Sequence, residues 1–108
     1  MLTNKVYGLL GICAKAGGIV SGTDATIEMV EKNKAKVVIV AQDCSDKTIK
    51  NMKYICDKNN VPIYIFGNIE NISKSIGKNN RGIIGIKNES LAREIIKIIC
   101  GGDTIGQN

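Results

Sequence analysis

Val37-Val38-Ile39-Val40-Ala41 is an unbroken run of β-branched and small apolar residues. It is too short for a typical helix and too uniformly apolar for a sheet face open to water. It reads as a central strand covered on both sides, and a sheet covered on both sides in a chain of 108 residues requires helices in two outer layers.

Working outward from that strand, the flanking segments supply those helices. Upstream, Val6, Leu9, Leu10 and Cys13 follow the i, i+3, i+4, i+7 spacing of a helix burying one face, closed by Ala16-Gly17-Gly18. Ile19-Val20 is a short strand candidate, and Ile27 with Val30 continues a second helix that Lys32-Asn33-Lys34 closes with positive charge. Downstream, Ser45 or Asp46 caps a third helix that carries Ile49, Met52, Ile55 and Cys56 inward and ends near Asn59-Asn60. Pro62 introduces a strand over Ile63-Tyr64-Ile65-Phe66, which Gly67 stops. A short helix through Ile69, Ile72 and Ile76 leads into the polar loop Gly77-Lys78-Asn79-Asn80-Arg81-Gly82, followed by the strand Ile83-Ile84-Gly85-Ile86. Ser90 is the expected cap of a last helix with Leu91, Ile95, Ile98 and Ile99 inward. The expected fold is a single-domain, three-layer α/β/α sandwich with a small mixed sheet of about four strands over residues 1–100, followed by a flexible tail over residues 101–108.

Composition narrows the function classes. A formal charge of +5 and a pI near 9.1 favour an anionic partner. The chain has no histidine, which removes the usual side chain for proton transfer near neutrality and the commonest metal ligand. Tryptophan is absent too, and Tyr7, Tyr54, Tyr64 and Phe66 read as core or helix-face residues, which argues against rows of stacking aromatics. Cys13, Cys44, Cys56 and Cys100 form no C-x-x-C pair and read as buried thiols of a reducing compartment. Lys5, the apolar stretch to Ala14 and Ala14-Lys15-Ala16 imitate a signal peptide. Glycines interrupt that stretch, and cleavage would remove a helix the core needs, so export is the disfavoured reading. No segment is long enough to span a bilayer.

Two segments are not explained by core packing. Gly22 to Glu28 runs from a strand through a glycine into the first turn of a helix, a junction that directs free N–H groups and the positive dipole end at an anion. Gly77 to Gly82 is the other. If the two converge, they offer backbone amides, Thr23, Lys78, Asn79, Asn80 and Arg81 to phosphates and base edges. Each residue also has a plainer role. Ser21-Gly22-Thr23-Asp24 matches a capping box, and Glu28 stands four residues before Lys32 in the favourable order for a helix ion pair. Lys47, Lys50 and Lys58 mark a solvated face of the third helix, and Asn79-Asn80 can turn the chain. Asp24 with Glu28 makes no credible acid/base or metal pair, and both the Walker-type and dinucleotide glycine motifs are missing.

The residues resemble the kink-turn RNA-binding superfamily of small ribosomal proteins, of L seven-Ae, L thirty-e and S twelve-e type, and most of all its bacterial ribosome-associated members. Leu9-Leu10-Gly11, Ala14-Lys15-Ala16-Gly17, Ser21-Gly22-Thr23, Ala35-Lys36, Asp43 with Ser45, Val61-Pro62 and Ile76-Gly77-Lys78 carry the likeness along nearly the whole chain. It implies a non-enzymatic, cofactor-free cytoplasmic monomer that makes no membrane contact and binds structured RNA, ribosomal RNA in particular. In that family the start of the second helix enters the groove of a kinked stem, and a later loop covers a flipped-out nucleotide. Carried over, this points to Gly22, Thr23, Lys32, Lys36 and Gly77 to Asn80; with Asp24 and Arg81 from the junction and loop read above, the expected RNA-binding residues are Gly22, Thr23, Asp24, Lys32, Lys36, Gly77, Lys78, Asn79, Asn80 and Arg81. Asp24-Ala25 and Glu28 stand where archaeal-type members have Asn-Glu and Lys, and Asp accepts hydrogen bonds without donating them. These differences motivate the alternative of a protein-interaction module in ribosome assembly or stress response.

Overall fold

The computed structural model describes the backbone of residues 2–107 and the side chains of residues 3–100. Helices and strands alternate as α1 (Leu2–Lys15), β1 (Ile19–Ser21), α2 (Thr23–Glu31), β2 (Val37–Val40), α3 (Asp46–Lys58), β3 (Ile63–Ile65), α4 (Ile69–Ile76), β4 (Ile83–Ile86) and α5 (Glu89–Gln107). The sheet order is β1-β4-β2-β3. β4 lies antiparallel to both β1 and β2, and β2 lies parallel to β3. β1, β2 and β3 therefore all point the same way, and the helix after each of them starts at the same end of the sheet.

The apolar run at β2 is the centre of the fold, with all four of its residues fully buried. Alternation along the strand sends its side chains to opposite faces. Val37, Ile39 and Ala41 join Val6, Leu10 and Cys13 of α1, Ile72 and Ile76 of α4, and Ala92, Ile95 and Ile98 of α5 in one core. Val38 and Val40 join Met29 and Val30 of α2 and Met52 and Cys56 of α3 in the other. The three-layer α/β/α sandwich with a four-stranded mixed sheet is thus realised as expected, with α1, α4 and α5 on one face and α2 and α3 on the other.

Turn chemistry follows the sequence closely. Gly17 (φ 75°) and Gly77 (φ 71°) take the left-handed conformation that ends α1 and α4, and Asn60 (φ 59°) does so after α3. Ser45 caps α3, its Oγ accepting from the Thr48 amide at 3.1 Å.

Some expectations are corrected. The cap of α5 is Asn88, whose Oδ1 accepts from the Leu91 amide at 2.9 Å, while Ser90 lies inside the first turn. Both residue types cap well, but Asn88 stands directly before the first helical residue, where its side chain reaches the free Leu91 amide. The cysteines are not uniformly buried, since Cys44 is half-buried and Cys100 exposed. Tyr54 is 65% exposed. The backbone of α5 runs to Gln107, and the side chains of residues 101–108, where a flexible tail is expected, lie outside the described residues.

Candidate nucleic-acid interface

The shared polarity of β1, β2 and β3 gathers four connections at one end of the sheet. They enclose an open groove of about 420 Å³ lined by Gly22 and Thr23 after β1, Asp43, Cys44, Ser45 and Thr48 after β2, Ile69 after β3, Asn80, Arg81 and Gly82 before β4, and Ile83 at the start of β4. The two segments singled out in the sequence do converge here, through Gly22 and Thr23 on one wall and Asn80 and Arg81 on the other.

Gly22 makes the junction possible. Its φ of 97° and ψ of 158° lie in a region essentially restricted to glycine. In that conformation its amide donates to the Ile83 carbonyl at 2.8 Å and its carbonyl accepts from Thr26 at 3.1 Å, which ties the start of α2 to β4. No side chain caps α2, so the Thr23, Asp24 and Ala25 amides are left for an external acceptor. The expected Ser21 capping box does not form. Ser21 is the last residue of β1, paired with Ile84, and its Oγ accepts instead from Arg81 Nε at 3.2 Å.

The other two helix starts at this end are closed. Ser45 occupies that of α3, and at α4 Asn68 Oδ1 accepts from Asn71 at 2.7 Å while Asp43 Oδ1 accepts from Ile69 at 2.9 Å. The open start of α2 is therefore the exception among three.

The Gly77–Gly82 loop is held from beneath by Ser73, which is only 5% exposed. Its Oγ accepts from the Arg81 amide at 2.7 Å and donates to the Arg81 carbonyl at 3.0 Å. Lys78 adds a backbone bond to the Ser73 carbonyl at 2.9 Å, and Asn80 turns the chain with φ 54°. The Arg81 guanidinium, held by Ser21 and by the Asn79 carbonyl at 3.2 Å, has no carboxylate partner among the described residues. Gly82 admits β4 to the groove floor, where a Cβ would come within 2.7 Å of Cys44 Sγ and 2.8 Å of Ile69 Cγ1. Burial pushes the Cys44 thiol pKa up, so the groove presents a neutral thiol, one free cation, open amides and the Asp43 carboxylate.

The remaining expected residues are dispersed. Asp24 lies exposed in the first turn of α2 and makes no cap bond. Lys32 caps the far end of α2, about 13 Å along the helix axis from its start, and is bonded to Glu28 at 2.8 Å. That hydrogen bond, with the lysine charge, lowers the Glu28 pKa. Lys36 precedes β2, at the opposite end of the sheet, and lies 4.0 Å from Glu89. Gly77 and Lys78 line a neighbouring groove of about 490 Å³ between α1 and α4, with Lys15 and Lys74. Sequence reasoning missed Ser73 and Thr48, it took Asp43 only as part of a family likeness, and it read Ser45 as a helix cap and part of that likeness without placing it in the site. A serine three residues after Asn68-Ile69-Glu70 in an otherwise amphipathic helix gave no signal beyond its position on the Ile69, Ile72, Ile76 face.

Comparison with known proteins gives consistent relatives. The chain is 32% identical over 97 residues to the RNA-binding protein YlxQ of Enterococcus faecium, covering 90% of this chain and 93% of that protein. It is 28% identical over 93 residues to the RNA-binding protein YlxQ of Bacillus subtilis (strain 168), covering 86% and 93%. Among solved structures, a Bacillus halodurans protein of unknown function superposes with a TM-score of 0.85 at 27% identity, covering 88% of this chain and 96% of that one. The 15.5kD RNA binding protein of Giardia lamblia superposes with a TM-score of 0.79 at 19% identity, covering 95% and 88%, and shows the same fold. With the family model matching residues 4–96, the chain belongs to the ribosomal protein L7Ae/L30e/S12e/Gadd45 family.

Proposed function

We propose that the protein is a non-enzymatic RNA-binding protein that recognises kink-turn-like structured RNA, ribosomal or ribosome-associated, through the groove at the start of α2. The carrying observation is the uncapped α2 start facing Arg81, which has no carboxylate partner among the described residues, across one groove. Free backbone amides and a guanidinium suit phosphate oxygens and guanine edges, while Asp43 and Asp24 can accept from base amino groups. Such a mixture of donors and acceptors fits a folded RNA better than a bare phosphate. Family membership and the names of the two YlxQ relatives support the same reading. The protein acts by selecting and stabilising the bent RNA conformer.

The test is a titration of a kink-turn stem and a matched unkinked duplex at two salt concentrations. Preference for the kinked stem at both concentrations is expected. Equal binding to both, with only a steep salt response, would reduce the groove to a basic surface without shape recognition.

A further inference from the structure

The outward face of α3 carries a feature that the groove does not use. Taking about 100° per residue, Lys47, Lys50 and Lys58 all lie within about 40° of Tyr54 around the helix. All four side chains are exposed, Tyr54 by 65%. Lys50 and Lys58 stand about 6 Å along the axis on either side of the ring. Lys32, Lys36 and Arg93 each lie beside a glutamate, but among the described residues no α3 lysine has a carboxylate partner. Ile12 and Tyr54 are the exposed large hydrophobic residues among those described, and of the two only Tyr54 is bracketed by a lysine four residues away on both sides.

Position gives this face a direction. α3 begins at the groove, where Ser45 and Thr48 form part of the wall, and Tyr54 follows about 9 Å further along the axis. An RNA strand leaving the groove over α3 would meet cations, an aromatic ring and then another cation. An exposed ring offers a π-face to an unpaired base, and flanking ammonium groups follow the phosphates, without reading sequence.

Resting on the RNA-binding reading above, we propose that the Lys47–Lys50–Tyr54–Lys58 face of α3 is a second contact that holds a single-stranded RNA segment flanking the structured element. Tyr54 stacks on one base and the three lysines neutralise the adjoining phosphates.

The experiment measures affinity for a kink-turn stem with blunt ends and for the same stem carrying a short oligouridine extension, with an unkinked duplex in both forms run in parallel. The extension is expected to strengthen wild-type binding about tenfold. Tyr54→Ala loses that gain, Tyr54→Phe keeps it, and all variants bind the blunt stem as wild type does. Replacing Lys47, Lys50 and Lys58 with Gln also removes the gain and lowers the salt slope for the extended probe by about 2. Thermal melting verifies that these exposed substitutions leave the fold intact. An extension that adds nothing to wild-type binding, or a gain that survives in both the Tyr54→Ala and the triple-lysine variants, overturns the proposal. If kinked and unkinked stems bind alike while the extension gain still depends on Tyr54, kink recognition fails and the α3 contact stands.

Discussion

The two ends of the β-sheet are built from similar short polar connections, yet they dispose of their hydrogen-bonding groups differently. At the end holding Lys36 and Lys87, the Lys36 amide donates to Ile86 at 2.7 Å, the Lys87 amide to Gly18 at 2.9 Å, and Asn88 caps α5. Glu89 also stands there between Lys36 and Arg93. At the other end the first amides of α2 are free and Arg81 has no acidic partner among the described residues. Lysines are present at both ends, so basic charge alone does not locate the site. What distinguishes the groove is the set of donors that folding leaves unpaired.

Substitutions that close or loosen the groove should separate the two ends most clearly. Gly22→Val forces a β-branched residue into a glycine-only conformation, with an expected stability cost of about 1–3 kcal/mol. Displacement of the α2 start should weaken kinked-stem binding about 100-fold, equivalent to about 2.7 kcal/mol. Ser73→Ala removes both bonds to the Arg81 backbone at a buried position. Chemical denaturation should show a loss of about 1–3 kcal/mol, and affinity should fall about tenfold as the loop loosens. Intact affinity in this variant would mean that loop order is irrelevant to binding.

Arg81→Gln tests charge while leaving the Ser73 bonds to the Arg81 backbone in place. Affinity is expected to fall several-fold at low salt and the salt slope to drop by about 1, with stability little changed. Lys36→Gln probes the opposite end, where an exposed pair contributes at most about 1 kcal/mol. Binding should stay within twofold of wild type, and a loss matching that of Arg81→Gln would break the proposed asymmetry. The smallest effect is expected from pH. The chain has no histidine, and burial raises the Cys44 pKa, so affinity at constant ionic strength should be level between about pH 6 and 8. A change there would reveal a titrating group in the groove.

The fold was legible because β2 allows one interpretation, and because glycine or asparagine stands at the ends of α1, α3 and α4. The site was legible only in part. Gly22 announced the helix start, but a capping box could not be told from a strand end followed by a glycine cap, since both begin with Ser21. Ser73 was hidden because its partner is the backbone of Arg81, and the sequence around a hydrogen bond to main chain carries no trace of it. Lys36 illustrates a different loss. A likeness along the chain attached it to the site, whereas strand direction puts a residue before β2 at the end opposite one that follows β1.

The reciprocal Ser73–Arg81 bonds bear on which partner changes shape during the encounter. A loop already fastened at both its amide and its carbonyl has little conformational freedom left to surrender, so most of the ordering entropy falls on the RNA. Apparent affinity should then scale with the fraction of free RNA that is already bent. For an RNA that seldom bends, capture at high protein concentration should level off at the bending rate of the RNA. Cations that promote bending before the encounter should hasten capture, although they also screen the groove.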